Sequence, residues 1–406
     1  MRVLLSTYGS RGDTEPMAGL AVALKAMGAE AVVSAPGDQE FVDLLARAGV
    51  ELAPAFMPVR DWIESARQAP ADIQTYGARM IGRQHDAIDA AAEGCDAIVA
   101  TGLMPSCGAA QCVAETRGLA YAHVSFCPLF LPSHHQRPFA YPQHPFPEGM
   151  TDVREMWAFN GQSMNALFGG NINRLRASVG LPPVDNVRRH VFTDRPLLAS
   201  DPVLWPWQET DLCTPAQTGA WILQDIRPLA PDLEAFLEAG APPVYVGFGS
   251  IALQSTKDAG RIAIDAIRAQ GRRMIVQRGW ADLGLIDDQP DCFAIGEVNQ
   301  QALFRRVAAV VHHGGAGTTT TAAGAGAPQL IVPQIVDQPY WAAQIATLGI
   351  DAAHDGATPT LASLSAALTI GLAPETRMRA AAIASKMNDD GANRAAKLLI
   401  EMVERA

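Results

Sequence analysis

Short apolar runs recur along the chain at intervals that leave room for a helix between them. Val3-Leu4-Leu5 leads through a polar loop containing Asp13 to a helix opened by Pro16. Ala31-Val32-Val33, a helix from Phe41 to Ala48, Ala97-Ile98-Val99 and Tyr121-Ala122-His123-Val124 follow. Strand-like runs alternating with helical ones predict parallel strands joined by crossover helices, so this stretch reads as one doubly wound α/β half. A polar, proline-bearing stretch from Asp201 to Thr218 breaks the rhythm. It resumes with Val244-Tyr245-Val246, Met274-Ile275-Val276, Phe293-Ala294-Ile295, Val310-Val311 and Ile331-Val332, a second α/β half. Between Phe126 and Pro183 the alternation gives way to scattered prolines and aromatics, then to a helical pattern from Val153 to Val179. A structured insertion of that length is a candidate acceptor-binding lobe.

The segment His312-His313-Gly314-Gly315-Ala316-Gly317-Thr318 carries most of the chemistry. It lies between the strand ending at Val311 and a helix expected from Thr318 to Ala325. Glycines there let backbone N–H groups approach an anion, and the helix aims its positive end at the same place. The following strand, Gln329 to Pro333, delivers Asp337 and Gln338 to the same sheet edge, where a carboxylate and an amide suit sugar hydroxyls. Asp337 also reads as the N-cap of a helix from Pro339 to Leu348, a role compatible with the first.

Composition narrows the classes. At 406 residues and 49% hydrophobic, the chain is too long for one ordinary core and implies two domains. A net charge of −11 argues against a nucleic-acid or anionic-membrane surface. No stretch approaches a membrane span, and Met1 to Leu5 runs into a strand rather than a signal peptide, so a cytoplasmic protein without stable membrane insertion is expected. The six cysteines are scattered without CxxC pairs, which favours free thiols over disulfides or zinc. A dinucleotide oxidoreductase is excluded because Tyr8-Gly9-Ser10-Arg11-Gly12 is not G-x-G-x-x-G and the second strand ends in Ser34-Ala35-Pro36 without a ribose-binding acid.

From His312 to Gln338 the sequence resembles the nucleotide-sugar signature of family 1 glycosyltransferases. The likeness extends to Gly247-Phe248-Gly249-Ser250, to Arg278-Gly279-Trp280-Ala281-Asp282-Leu283 and to Glu297-Val298-Asn299-Gln300. Gly9 to Pro16 looks like the first loop of vancomycin-type glycopeptide glycosyltransferases and of sterol glucosyltransferases, and weaker similarity to the glycopeptide enzymes runs through most of the chain. The resemblance implies the GT-B fold: two Rossmann-like domains facing across a cleft. On that basis residues 1–202 form an acceptor domain with its insertion at about 126–183. Residues 203–218 form a linker, 219–385 a nucleotide-sugar domain, and 386–406 a helix returning to the first domain.

The resemblance further implies an inverting transfer of a hexose or deoxyhexose from a UDP- or dTDP-sugar to a hydroxyl of a hydrophobic or aromatic small molecule. Asp13 is expected as the base. Ser10 is expected at the diphosphate once the cleft closes, and Arg11 either adds charge there or pairs with a neighbouring carboxylate. His312 (favoured over His313 by family matching), Gly314, Gly315, Gly317 and Thr318 would hold the phosphates. Gly249, Ser250, Trp280 and Val298 would surround the base and ribose, with Val298 where plant members carry a stacking tryptophan. His123, Phe126, Phe130, Trp157 and Met164 are the acceptor candidates, although each also reads as packing within the insertion. No Asp-x-Asp motif is present, so no metal or other cofactor is expected beyond the nucleotide-sugar co-substrate, and the working form is a monomer or weak homodimer. A sterol or lipid glucosyltransferase is the nearest alternative. A nucleotide-sugar 2-epimerase and a non-catalytic partner of a transferase share the architecture, but the apolar insertion disfavours the first and intact Asp13, His312 and Asp337 the second.

Overall fold

The computed structural model describes residues 1–68, 73–250, 254–280, 282–283, 289–352 and 354–405. Contacts divide the chain into two compact units. One comprises Met1–Pro202, Pro206–Leu223 and Asp389–Ala406; the other comprises Val203–Trp205 and Gln224–Asn388.

The first unit runs β1 (Arg2–Tyr8), α1 (Arg11–Ala26), β2 (Glu30–Ala35), α2 (Gln39–Arg47), β3 (Glu51–Pro54), α3 (Val59–Gln68), α4 (Ile73–Ala91), β4 (Ala97–Gly102), α5 (Met104–Arg117) and β5 (Ala120–Ser125). The insertion follows, with α6 (Val153–Met164), a π-helical turn, and α7 (Gly170–Ser178). Then come α8 (Val187–Phe192), β6 (Leu197–Leu198) and β7 (Ala216–Gln217). Its seven parallel strands lie in the order β3-β2-β1-β4-β5-β6-β7. Alternate residues of each strand face opposite sides. Val3, Leu5, Val33 and Val99 therefore join a core under α1, while Leu4, Val32, Ile98 and Ala100 join one under α4 and α5.

The second unit runs α9 (Pro231–Glu238), β8 (Val244–Gly247), α10 (Gln254–Ala269), β9 (Met274–Gln277), β10 (Cys292–Ile295), α11 (Gln300–Leu303), β11 (Ala309–His312), α12 (Ala316–Gly324), β12 (Gln329–Ile331), α13 (Gln338–Thr347), α14 (Leu361–Gly371) and α15 (Pro374–Ala384). Its five parallel strands follow β10-β9-β8-β11-β12. In both sheets the order reverses beside the first strand, between β1 and β4 and between β8 and β11. Loops leaving the carboxyl ends diverge at such a point and leave a crevice, the usual ligand position in open α/β sheets.

Two expectations change. The first helix begins at Arg11 rather than Pro16, because Ser10 and Asp13 form a reciprocal capping box five residues earlier. The stretch 203–218, expected as a linker, contributes β7 to the first sheet, where Ala216 and Gln217 pair with Leu197 and Leu198. The final helix, α16 (Gly391–Glu404), packs Ala392, Ala395, Ala396 and Leu399 into the core beneath α1. Its first residue lies so close to the backbone of Gly219 and Ala220 that a Cβ at Gly391 would collide with main-chain atoms. Gly391→Ala is predicted to lower unfolding free energy by about 1–3 kcal/mol, read from the denaturant midpoint; an unchanged midpoint would refute this account of how α16 docks.

Candidate active site

At the β8/β11 switch point the two adjacent histidines have different environments. His312, the last residue of β11, is fully buried. Its Nδ1 accepts the Gly314 N–H at 3.1 Å, which leaves the proton on Nε2, 2.8 Å from Gln329 Oε1. Gln329 in turn donates through Nε2 to the Thr319 carbonyl at 3.2 Å. Burial pushes the His312 pKa down to about 3, so the ring is neutral and its single N–H is committed inside the fold. That corrects the expectation that His312 meets the phosphates. Gln329, which sequence reading missed, is the partner that commits it. The available signal was a polar residue opening an otherwise apolar strand.

His313 stands in a glycine cradle. A Cβ on Gly315 would lie 2.5 Å from its Nε2 and one on Gly249 2.9 Å from its Cε1, so both glycines are required for the ring to sit there. Its Nδ1 has no hydrogen-bond partner among the described residues. Beside it α12 begins two residues before the expected start, and no side chain caps it at Gly315. The N–H groups of its first turn have no intrahelical acceptor. A Cβ at Gly317 would meet nothing within 4 Å, so the space over the helix end is open. Thr318 in that turn is half-buried. Gly314, at φ +89°, lies where a Cβ would strike Ile331 and crowd Gln338.

Asp337 occupies the N-cap position of α13, where its carboxylate makes no capping hydrogen bond; its own backbone N–H and the Trp341 side chain of the same helix favour its charged form. Burial pushes its pKa up to about 6. Val336 before it is held at φ +54°, a strained conformation for a β-branched residue. The side-chain Oε1 of Gln338 accepts from the N–H groups of Gln334 and Ile335 at 2.8 and 3.0 Å, which fixes the orientation of its amide NH2.

Gly249 and Gly279 both have positive φ, and their loops touch where the Trp280 N–H donates to the Gly249 carbonyl at 3.0 Å. A Cβ on Gly279 would collide with that carbonyl. Trp280 and Ser250 are half-buried, and Ala281 lies outside the described residues. Val298 packs its side chain on the core beneath β8 and β10. Asn299 caps α11 and donates to the carbonyls of Asp225 and Arg227, each at 2.8 Å.

In the first unit, Asp13 Oδ2 accepts the Ser10 N–H at 2.8 Å, and Ser10 Oγ accepts from Gly12 N at 3.3 Å. The same carboxylate lies over Gly9, whose missing Cβ makes room for it. Arg11 pairs with Glu15 through Nε at 2.6 Å, the neighbouring-carboxylate reading of the two.

The five acceptor candidates do not converge. Trp157 is buried and its Nε1 donates to the carbonyls of Ser133 and Gln136 at 2.8 and 3.0 Å. Met164 is buried in the core beneath α4 and α5. Both are packing residues, since they expose almost no surface to a ligand. His123 is buried with its ring stacked 4.2 Å from Phe192 and its pKa pushed down to about 3. Phe126 packs edge-on against Trp221 on the other face of the sheet. Phe130 is half-buried and touches Phe139. Phe126 and Phe130 are both half-buried, and of the two only Phe130 is paired with another insertion aromatic among the described residues.

Two Rossmann-like units, one carrying an uncapped helix end beneath a glycine-histidine loop, define a nucleotide-binding α/β protein. Comparison with known proteins gives the particular family. Residues 273–402 match the family model described as the Erythromycin biosynthesis protein CIII-like, C-terminal domain. The chain is 51% identical to the vancomycin aglycone glucosyltransferase of Amycolatopsis orientalis, over 100% of this chain and 98% of that one. It is 46% identical to dTDP-epi-vancosaminyltransferase of the same organism, over 99% and 98%. Among solved structures, the glycosyltransferase of kitacinnamycin superposes with a TM-score of 0.72 at 21% identity, covering 99% of this chain and 98% of the other. The chain belongs to the vancomycin-type glycopeptide glycosyltransferases and has the GT-B fold. It is an enzyme that transfers a sugar from a nucleotide sugar.

The histidine pair separates by experiment. His312→Ala is expected to cost about 2–4 kcal/mol of stability, because it opens a buried gap and strands the Gly314 N–H and Gln329. His313→Ala should cost less stability than His312→Ala, since it strands no buried partner, and lower kcat/KM about 100-fold. The opposite pattern would reverse the two roles. For Asp337, burial raises the carboxyl to about 6, and a carboxylate placed to receive sugar hydroxyls would do so best when ionised. Donor affinity should therefore rise as pH increases through about 6, flatten in Asp337→Asn, and show no such component for the nucleotide diphosphate lacking sugar. Equal profiles for wild type and Asp337→Asn would remove Asp337 from the sugar site.

Proposed function

We propose that this enzyme transfers a hexose or deoxyhexose from a dTDP- or UDP-sugar to a phenolic hydroxyl of a glycopeptide aglycone, with inversion at the anomeric carbon. The observation that carries the reading is the uncapped end of α12, open over Gly317 and flanked by His313, whose Nδ1 has no partner among the described residues. Three backbone donors, a helix dipole and an imidazole suit a diphosphate leaving group that gains charge as the glycosidic bond breaks. Burial pushes the His313 pKa down to about 4, so its ring acts as a neutral hydrogen-bond donor and the helix end supplies the positive field; the reading needs no metal or organic cofactor. The 46% likeness to a dTDP-epi-vancosaminyltransferase and the 51% likeness to a vancomycin aglycone glucosyltransferase support the donor and acceptor classes.

In the proposed step the carboxylate of Asp13 takes the proton of the acceptor hydroxyl. The oxygen then bonds to the anomeric carbon from the face opposite the diphosphate, and the bond from that carbon to the phosphate oxygen breaks. The nucleotide diphosphate leaves with the electron pair. Direct displacement turns an α-linked donor into a β-glycoside. Asp13 Oδ2 is oriented by the Ser10 N–H, which steadies the carboxylate without occupying its other oxygen with that bond. The sugar hydroxyls fall to Asp337 and to the amide NH2 of Gln338. The base and ribose fall to Gly249, Ser250, Trp280 and the backbone at Val298. All six cysteines are buried and free, which fits a reducing cytoplasm as the place of action.

The test compares wild type, Asp13→Ala and Asp13→Asn with dTDP-glucose and UDP-glucose against vancomycin aglycone. Acceptor-dependent nucleotide release should fall about 100- to 10,000-fold in both variants while donor affinity is retained. Normal turnover in Asp13→Asn would show that Asp13 only caps α1 and that another group is the base. Chelation of divalent metals should leave the wild-type rate unchanged.

A further inference from the structure

Asp337 departs from an ordinary N-cap. A capping residue lies in the extended region, from which its side chain reaches the N–H groups of the following turn. Asp337 lies instead at φ −84° and ψ −14°, already helical, and its backbone carbonyl accepts the N–H groups of Tyr340 and Trp341, each at 3.0 Å. Side chains on a helix lean toward its N-terminus, so the residue four places further on covers the first. At the start of α13 that residue is Trp341.

Trp341 is fully buried, and its Nε1 makes no hydrogen bond of ordinary length and angle among the described residues. A buried indole N–H normally has a partner, and a phenylalanine would fill much of the same space without a donor to satisfy. The neighbour that feels this donor is the Asp337 carboxyl. Burial is the largest influence on that group and raises it to about 6; its own backbone N–H and the Trp341 side chain work the other way, and no charged side chain of any described neighbouring element acts on it. The indole is itself held in place. Trp205 meets it edge to face, with ring centres 5.2 Å apart and planes at 85°. Gln344, on the same helix, donates through Nε2 to the carbonyl of Leu204 at 3.0 Å. Val203–Trp205 belong to the same compact unit as α13, so this support lies within one body.

We propose that Trp341 is a positioning residue for Asp337: its indole N–H, steadied by Trp205, fixes one carboxylate oxygen and presents the other to a hydroxyl of the donor sugar. Trp341 touches no substrate. It acts through Asp337 in two ways, by orienting the carboxylate and by keeping it ionised in a buried setting that favours the neutral acid. The role rests on the reading above that Asp337 holds sugar hydroxyls, and it adds a residue that sequence matching to the Asp337-Gln338 pair does not supply.

The test is calorimetric titration of dTDP-glucose and UDP-glucose across the range in which the carboxyl ionises, with wild type, Trp341→Phe, Asp337→Asn and the double variant. Trp341→Phe keeps an aromatic ring against Trp205 and removes only the donor. It should move the rise in donor affinity to higher pH by roughly half a unit to one unit, because the carboxylate loses a hydrogen-bond donor that favours its charged form. Well above that range, where the carboxyl is ionised in both proteins, the lost orientation should still weaken donor binding about threefold. In the Asp337→Asn background the same substitution should change nothing, and the nucleotide diphosphate without sugar should bind wild type and Trp341→Phe equally at high pH. An unmoved rise in Trp341→Phe overturns the proposal and leaves Asp337 in the sugar site. Equal profiles for wild type and Asp337→Asn remove Asp337 itself, and the positioning role falls with it. Equal loss of the sugar nucleotide and the bare diphosphate makes Trp341 a packing residue and overturns the proposal too. Should Trp341→Phe fail to fold, the wild type decides: one indole N–H resonance should shift as the Asp337 carboxyl ionises and stay fixed in Asp337→Asn, and indole signals that ignore this titration overturn the proposal.

Discussion

The buried hydrogen bond between His312 and Gln329 is the constraint on which the donor side depends. Its 2.8 Å length and the Gly314 N–H on the opposite ring nitrogen leave His312 one tautomer and one orientation. Gln329 passes the restraint to Thr319, and Thr319 Oγ1 ties back to the Gly315 carbonyl at 2.9 Å. The end of β11, the first turn of α12 and the start of β12 thus become one closed polar circuit. In an apolar interior such a circuit is strong when complete and costly when any member is missing. What it achieves is placement: Gly314 is pinned at positive φ, and the next side chain, His313, is turned into the space that Gly249 and Gly315 leave for it.

The first unit solves a similar problem with less material. Ser10 and Asp13 cap α1 reciprocally, and Gly9 leaves room for the carboxylate above the loop. The cap orients Asp13 by a backbone N–H rather than by another side chain, so the position of the carboxylate follows from the position of the helix. The role of the helix N-terminus differs between the two units. In α1 the chain's own side chains occupy it, whereas in α12 no side chain does. That contrast is the reason the proposed mechanism gives the anion to the second sheet and the carboxylate chemistry to the first.

The insertion departs from both patterns. Trp157, Met164 and the buried His123 are spent on internal packing and carbonyl contacts. The open aromatic surface of the insertion is thereby confined to a few half-buried rings. No helix of the described residues is long and apolar enough to cross a membrane.

The chain's own pattern determined the two α/β halves, because short continuous apolar runs separated by helix-length segments have few other ways to bury themselves. It also located the glycine loop after β11, Asp13 after β1 and the pair Asp337-Gln338 after β12, since parallel sheets bring loops at the strand carboxyl ends together whatever the side chains. It did not determine which of two adjacent histidines is locked into the fold by internal hydrogen bonds. One residue of register at a strand end is invisible to periodicity, and the choice was made by Gln329, which is distant in sequence and adjacent only through the sheet. Nor did it separate packing aromatics from open ones in the insertion, where Trp157 and Phe130 look alike as letters. Tertiary structure decided that, because burial depends on which backbone carbonyls and helices happen to lie opposite. The start of α1 lay between these cases: the Ser10 and Asp13 spacing was present in the sequence, yet Pro16 offered an equally ordinary start, and the reciprocal cap settled it.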